Sequence, residues 1–120
     1  RGEVAPYVEQ VPGPSTQSFA ALAAKLDCYI VIGLPEIDAG NGLYYNTAVL
    51  VGPEGYLGKH RKSHPYIAEP KWAASGDTGH QVFETSLGRI ALLICMDIHF
   101  LETARLVALQ GAEVICHLSN

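Results

Sequence analysis

The sequence predicts an α/β domain, and three observations carry that prediction. Two apolar, β-branched runs (28–34 and 45–51) lie close together in the first half, with a turn cluster between them. A stripe of helical period precedes them. In the second half an apolar run, a helical segment and another apolar run follow one another, a strand–helix–strand unit. With 120 residues, 48% hydrophobic and 17% charged, the chain is at most one globular domain.

Residues 1–14 are proline-rich, lack a period and read as a loop. Ser15 or Thr16 is suited to cap a helix, in which Phe19, Leu22, Ala23 and Leu26 form one apolar stripe. Cys28 to Leu34 reads as a buried strand, 38–42 (DAGNG) as a turn, and Tyr45 to Val51 as the next strand. Residues 52–55 (GPEG) turn the chain back, so that Tyr56 to Arg61 pairs as a hairpin. Residues 62–78 hold prolines and Trp72 and read as a long structured loop, a common place for function. A short strand (81–85), a turn, a strand ending at Cys95 and a helix from about 100 to 110 follow, with Gly111 just past the helix end. Leu101, Ala104 and Ala108 share one helix face, with Leu109 at its edge. A last strand covers 113–117, and its crossover from the Cys95 strand should be parallel and right-handed.

Charge and composition exclude several classes. A net charge of −4 gives no sign of a nucleic-acid or anionic-membrane partner. No apolar run approaches the ~18 residues of a membrane span. No basic and apolar leader is visible, and three scattered cysteines make no disulfide framework, which points to a reducing, cytoplasmic setting.

Cys95 is the residue most suggestive of chemistry. A strand that ends in a thiol and turns at once toward a helix exposes the sulfur at a sheet edge, near backbone N–H groups able to face an oxyanion. Taken alone, the segment fits a core thiol equally well. A free thiol is mostly protonated at neutral pH, so a cation nearby is required; the segment 59–64 (KHRKSH) offers one. Taken alone, that segment also reads as a charge-protected edge strand. Cys28 and Cys116 read as core thiols, and Asp97 as a structural acceptor at the helix entry. His60 with His64, Cys95 with His99, and Cys116-His117 raise a zinc site as a rival, but without a Cys-x-x-Cys pair, and with 56–64 reading as strand and loop, no metal is expected.

Several blocks stand in one order: 45–48 (YNTA), 52–55 (GPEG), 58–64 (GKHRKSH), Glu69, Gly76-Asp77, 95–97 (CMD), 102–105 (ETAR) and 111–113 (GAE). In these the chain resembles the nitrilase (carbon–nitrogen hydrolase) superfamily. The Arg-Lys-x-His block about thirty residues before Cys-x-Asp is the most specific. The resemblance implies an αββα sandwich, a mixed sheet with helices outside, of which residues 1–120 form the central portion of a single domain. It implies a Glu-Lys-Cys triad, with Lys62 as the family lysine, Cys95 as the nucleophile and Glu69 as a second glutamate lining the site. The Met96 backbone N–H would serve the oxyanion. Tyr66 and Trp72 would shape the substrate pocket, and Asn120 matches a position near the active site. The triad glutamate is expected before Arg1, since Glu3 and Glu9 lie in a proline-flanked loop. Two departures from the family pattern are Leu101 where proline is frequent and His64-Pro65-Tyr66 in place of His-Leu-Phe.

The implied activity is hydrolysis of a non-peptide carbon–nitrogen bond in a small amide, through a thioester acyl-enzyme and without a cofactor. A nitrile substrate, or a non-catalytic scaffold role, is the alternative. The family's habit implies a homo-oligomer, with a small amide or nitrile as partner.

Overall fold

The computed structural model describes residues 2–119. Its elements in order are α1 (Pro14–Leu26), β1 (Ile30–Ile37), β2 (Tyr44–Gly52), β3 (Gly55–Arg61), β4 (Val82–Thr85), β5 (Gly88–Ile94), α2 (Leu101–Leu109) and β6 (Val114–Leu118). They form two three-stranded sheets. In the first, β1-β2-β3, all pairs are antiparallel. In the second, β4-β5-β6, β4 is antiparallel to β5 and β6 is parallel to it, as the crossover through α2 requires.

Strand periodicity assigns the faces. Ala48 and Leu50 of β2 meet Ile90, Leu92 and Ile94 of β5 in a core between the sheets. The alternate residues Val49 and Val51 face the other way, onto Ala23 of α1. On β5 the alternate residues Ala91 and Leu93 are fully buried, and the connection to β6 carries α2 across that face with Val107 and Thr103 buried. The layering is therefore helix, sheet, sheet, helix. The sheets approach so closely at one point that a Cβ on Gly58 of β3 would lie 2.1 Å from the Phe83 ring of β4.

Four readings of the sequence are corrected. Ser15 and Thr16 do not cap α1: Gly13 holds that position with Pro14 in the first turn, and Glu9 Oε2 accepts the Ser15 N–H at 2.9 Å. The inner face of α1 is Thr16, Ala20 and Ala23, while Phe19, Leu22 and Leu26 are exposed, because small residues let the helix lie close on β2. On α2 the buried pair is Thr103 and Val107; Leu101 and Leu109 point outward. β1 also runs on past Leu34, through Pro35 and Glu36. Proline is tolerated there because β1 is an edge strand. No helix among the described residues is long and apolar enough to cross a membrane.

Candidate active site

The same alternation that builds the inter-sheet core aims the polar residues at its end. Asn46 precedes Ala48 on the inner face of β2, and Gly58, His60 and Lys62 follow one another on the inner side of β3 and its continuation. Across from them β5 ends at Ile94. Cys95 then takes φ +44°, and residues 95–99 make a short 3₁₀ turn before α2. A left-handed conformation at a non-glycine residue costs on the order of 1–3 kcal/mol and is held only where its surroundings enforce it. The bend ends the strand one residue earlier than the sequence suggests and leaves the Cys95 side chain on the wall of a cleft.

That cleft has a volume of about 940 Å³, and its walls include Lys62, Glu69, Tyr66, Trp72, Asn46 and Cys95. Five residues singled out in the sequence are thus brought to one cavity. Met96 is not on its wall; it sits in the first turn of the 3₁₀ segment, where backbone N–H groups have no partner within the helix. Asn120 lies outside the described residues. Ile67 also lines the cleft, at φ +40°, in the tight turn that sets Tyr66 beside Glu69.

Lys62 is buried, and its ammonium donates to Glu69 Oε2. Glu69 is fully occupied: Oε2 also accepts the Tyr66 N–H at 2.7 Å, and Oε1 accepts Asn46 Nδ2 at 2.7 Å. Burial pushes the Glu69 carboxyl up, but Lys62, Asn46 and the Tyr66 N–H outweigh it and hold it below its ordinary value. Such a carboxylate is suited to fixing an ammonium and is a weak proton acceptor. The Lys62 backbone is fixed too, its N–H donating to Asn46 O and its carbonyl accepting from Gly76 N, both at 2.8 Å.

Asp97 is fully buried behind the bend. Its Oδ2 accepts the Ile94 N–H at 3.1 Å and His60 Nε2 at 2.8 Å; its Oδ1 accepts the N–H groups of Ser63 and His64 at 3.1 and 3.0 Å. Burial alone would raise its pKa, yet His60 and these backbone donors bring it down to about 2. His60 and His64, one of the pairs in the rival zinc reading, therefore face one carboxylate, since His64 Nδ1 also lies 3.2 Å from Oδ1. Among the described residues no group of three His, Cys, Asp or Glu side chains is disposed to hold a metal ion.

The basic segment 59–64 is no solvated edge: His60, Arg61 and Lys62 are all buried. Arg61 turns to the opposite face and binds Glu36, Asp38 and Asp77. All three cysteines are free thiols. Cys116 packs against the inter-sheet core, and burial pushes its thiol up, which keeps it protonated. Asn46 was missed as a site residue. Its signal is a polar amide, a poor strand former, inside an apolar strand.

Comparison with known proteins bears on the family and the fold. The family model for carbon-nitrogen hydrolases matches residues 2–120. A nitrilase from Pyrococcus abyssi is 39% identical over the whole chain, which covers 45% of that protein. A beta-ureidopropionase from Arabidopsis thaliana is 40% identical over 91% of the chain and 28% of that protein. An omega-amidase from Bos taurus is 35% identical over 92% and 43%. The chain thus spans less than half the length of these relatives. The crystal structure of a carbon-nitrogen hydrolase from Helicobacter pylori G27 superimposes with a TM-score of 0.81 at 34% identity, over 88% of this chain and 37% of that one. With the family model covering nearly every residue and the fold shared, the chain belongs to the carbon-nitrogen hydrolase family.

Proposed function

We propose that the full-length protein hydrolyses a non-peptide carbon–nitrogen bond in a small amide, with Cys95 as nucleophile. The observation that carries this reading is the bend at Cys95, which sets its thiol on the same cleft wall as the buried Lys62–Glu69 pair. The thiol gives up its proton to a carboxylate base, and the sulfur attacks the carbonyl carbon. A carbon–sulfur bond forms, and the carbonyl electrons move to oxygen. The Lys62 ammonium and the Met96 N–H stabilise that oxyanion. Collapse breaks the carbon–nitrogen bond, and ammonia or amine leaves with a proton. Water then adds to the thioester carbon, the carbon–sulfur bond breaks, and acid and free thiol are released. Glu69 holds Lys62, and Tyr66 and Trp72 form the apolar wall for the acyl group.

Hydrolysis of a nitrile is a second reading, favoured by the relative of 39% identity that is a nitrilase. The reaction has no need of a cofactor, and we take the working form to be a cytoplasmic homo-oligomer. The test uses the full-length polypeptide. Cys95→Ala should abolish ammonia release from a panel of amides and nitriles, and a slowly turned-over amide should leave an acyl mass on the peptide containing Cys95. Retained turnover, or an acyl mass on Cys28 or Cys116, overturns the reading.

A further inference from the structure

Lys62 and Cys95 come from different sheets, and their relative position depends on whatever joins the two chain segments that carry them. The structure offers one compact connection. Asp97 Oδ1 receives the N–H groups of Ser63 and His64, the two residues after Lys62. Asp97 Oδ2 receives the N–H of Ile94, the residue before Cys95, and His60 Nε2 from the strand that leads into Lys62. The Asp97 carbonyl accepts the Thr103 hydroxyl, which anchors this point to α2. We propose that Asp97 is a positioning residue, whose buried carboxylate fastens the backbone after Lys62 to the backbone before Cys95 and so fixes the ammonium against the sulfur. This rests on the assignment of Cys95 as nucleophile and Lys62 as its cation.

The donor pattern makes the carboxylate specific. Backbone N–H groups arrive at both oxygens, so both must accept. Asparagine has the same size but only one accepting oxygen. Whichever way its amide is turned, its NH₂ faces at least one of the Ile94, Ser63 or His64 N–H groups. The two segments must then separate at that edge. A misplacement of about 1 Å between reacting groups costs about a hundredfold in rate.

In the full-length protein, Asp97→Asn should lower kcat about a hundredfold with KM changed less than about threefold, the pattern of a lost transition-state arrangement. The control is Leu92→Val, a core truncation in the inter-sheet cluster. At a matched fall in melting temperature it should keep its kcat. If Asp97→Asn keeps kcat within about fivefold of the parent, or loses no more than Leu92→Val does, the proposal is overturned. Should Asp97→Asn not accumulate as folded protein, His60 decides. His60→Phe removes a side-chain donor to Asp97 and should lower kcat about tenfold, and His60→Gln, which restores an N–H donor, should recover most of it. Unchanged turnover in His60→Phe overturns the proposal. Cys95→Ala in the same assay separates the two levels. An active Cys95→Ala defeats the nucleophile assignment and this inference with it, whereas an inactive Cys95→Ala beside a fully active Asp97→Asn defeats this inference alone.

Discussion

Glu36 takes Nη2 and Nε of Arg61 on its two carboxylate oxygens, at 2.5 and 3.1 Å, across the full width of β2. The pair joins the two edge strands of the first sheet, with Thr47 of β2 donating to Glu36 from between them at 2.7 Å. Burial works against the Glu36 carboxylate, but Arg61, Lys59 and Thr47 hold it charged, with its pKa below the ordinary value.

Without the Glu36 charge the buried Arg61 guanidinium keeps only Asp38 and Asp77, both more exposed than Glu36. Glu36→Gln should therefore destabilise the protein by about 3 kcal/mol, read as a lower urea midpoint. Asp77 binds the same guanidinium at 2.8 Å but is 55% exposed. Asp77→Asn should change stability by less than about 1 kcal/mol. Equal effects from the two variants would show that burial does not govern this network.

Lys62 is expected to act through its donor. Lys62→Ala should reduce kcat by about 10²–10³, the range for loss of one oxyanion donor. Lys62→Arg should not restore it, because a planar guanidinium cannot take the place of a compact ammonium beside Glu69. Steady-state rates on any turned-over amide test both.

The depressed Asp97 pKa has a defined signature in pH. The carboxyl falls from an ordinary 3.8 to about 2 in the fold, so its contribution is fully present above about pH 4 and is lost as pH drops toward 2. The loss should be about 2 kcal/mol, read from urea unfolding at stepped pH. In Asp97→Asn the same pH interval should show a flatter stability curve.

Gly58 marks where the sheets touch. A Cβ there meets the Phe83 ring at 2.1 Å, so Gly58→Ala should cost about 1–3 kcal/mol through forced side-chain movement. Adding Phe83→Leu should recover part of that loss, and the double-mutant cycle should give a coupling above about 0.5 kcal/mol. Independent effects would place the strain elsewhere.

The elements with a strong local signal were legible in the sequence. The dense apolar runs at 45–51 and 90–94 became β2 and β5, and the strand–helix–strand unit became a parallel crossover. Errors arose where a residue's role is set by a distant partner. Pro35 and Glu36 look like the end of a strand, yet β1 continues because Arg61 neutralises Glu36 from two strands away. Phe19, Leu22 and Leu26 form an ordinary core stripe on paper, but the packing on β2 selected the small residues Thr16 and Ala23. At the candidate site, Cys95, Lys62, Glu69, Tyr66 and Trp72 stand out in the sequence through their chemistry and the family pattern, and they line one cleft. Asn46 was not found, because its contribution is to hold Glu69, and Asp97 was read only as a helix-entry acceptor. The contacts of Asn46 with Glu69 and of Ser63 with Asp97 join residues 23 and 34 positions apart, and no local period records them.

The chain leaves the first sheet at Lys62 and is caught again at Gly76, whose N–H binds the Lys62 carbonyl, while Ala74 ties to Tyr44. The segment from 63 to 75 is therefore a handle with a locked base. Its rim at Tyr66 and Ile67 is exposed, yet the Tyr66 N–H donates to Glu69, so a backbone change there reaches the carboxylate that holds Lys62. Swapping rim side chains on an unchanged backbone should therefore reshape the cleft mouth, whereas inserting or removing residues there should slacken the grip on Lys62.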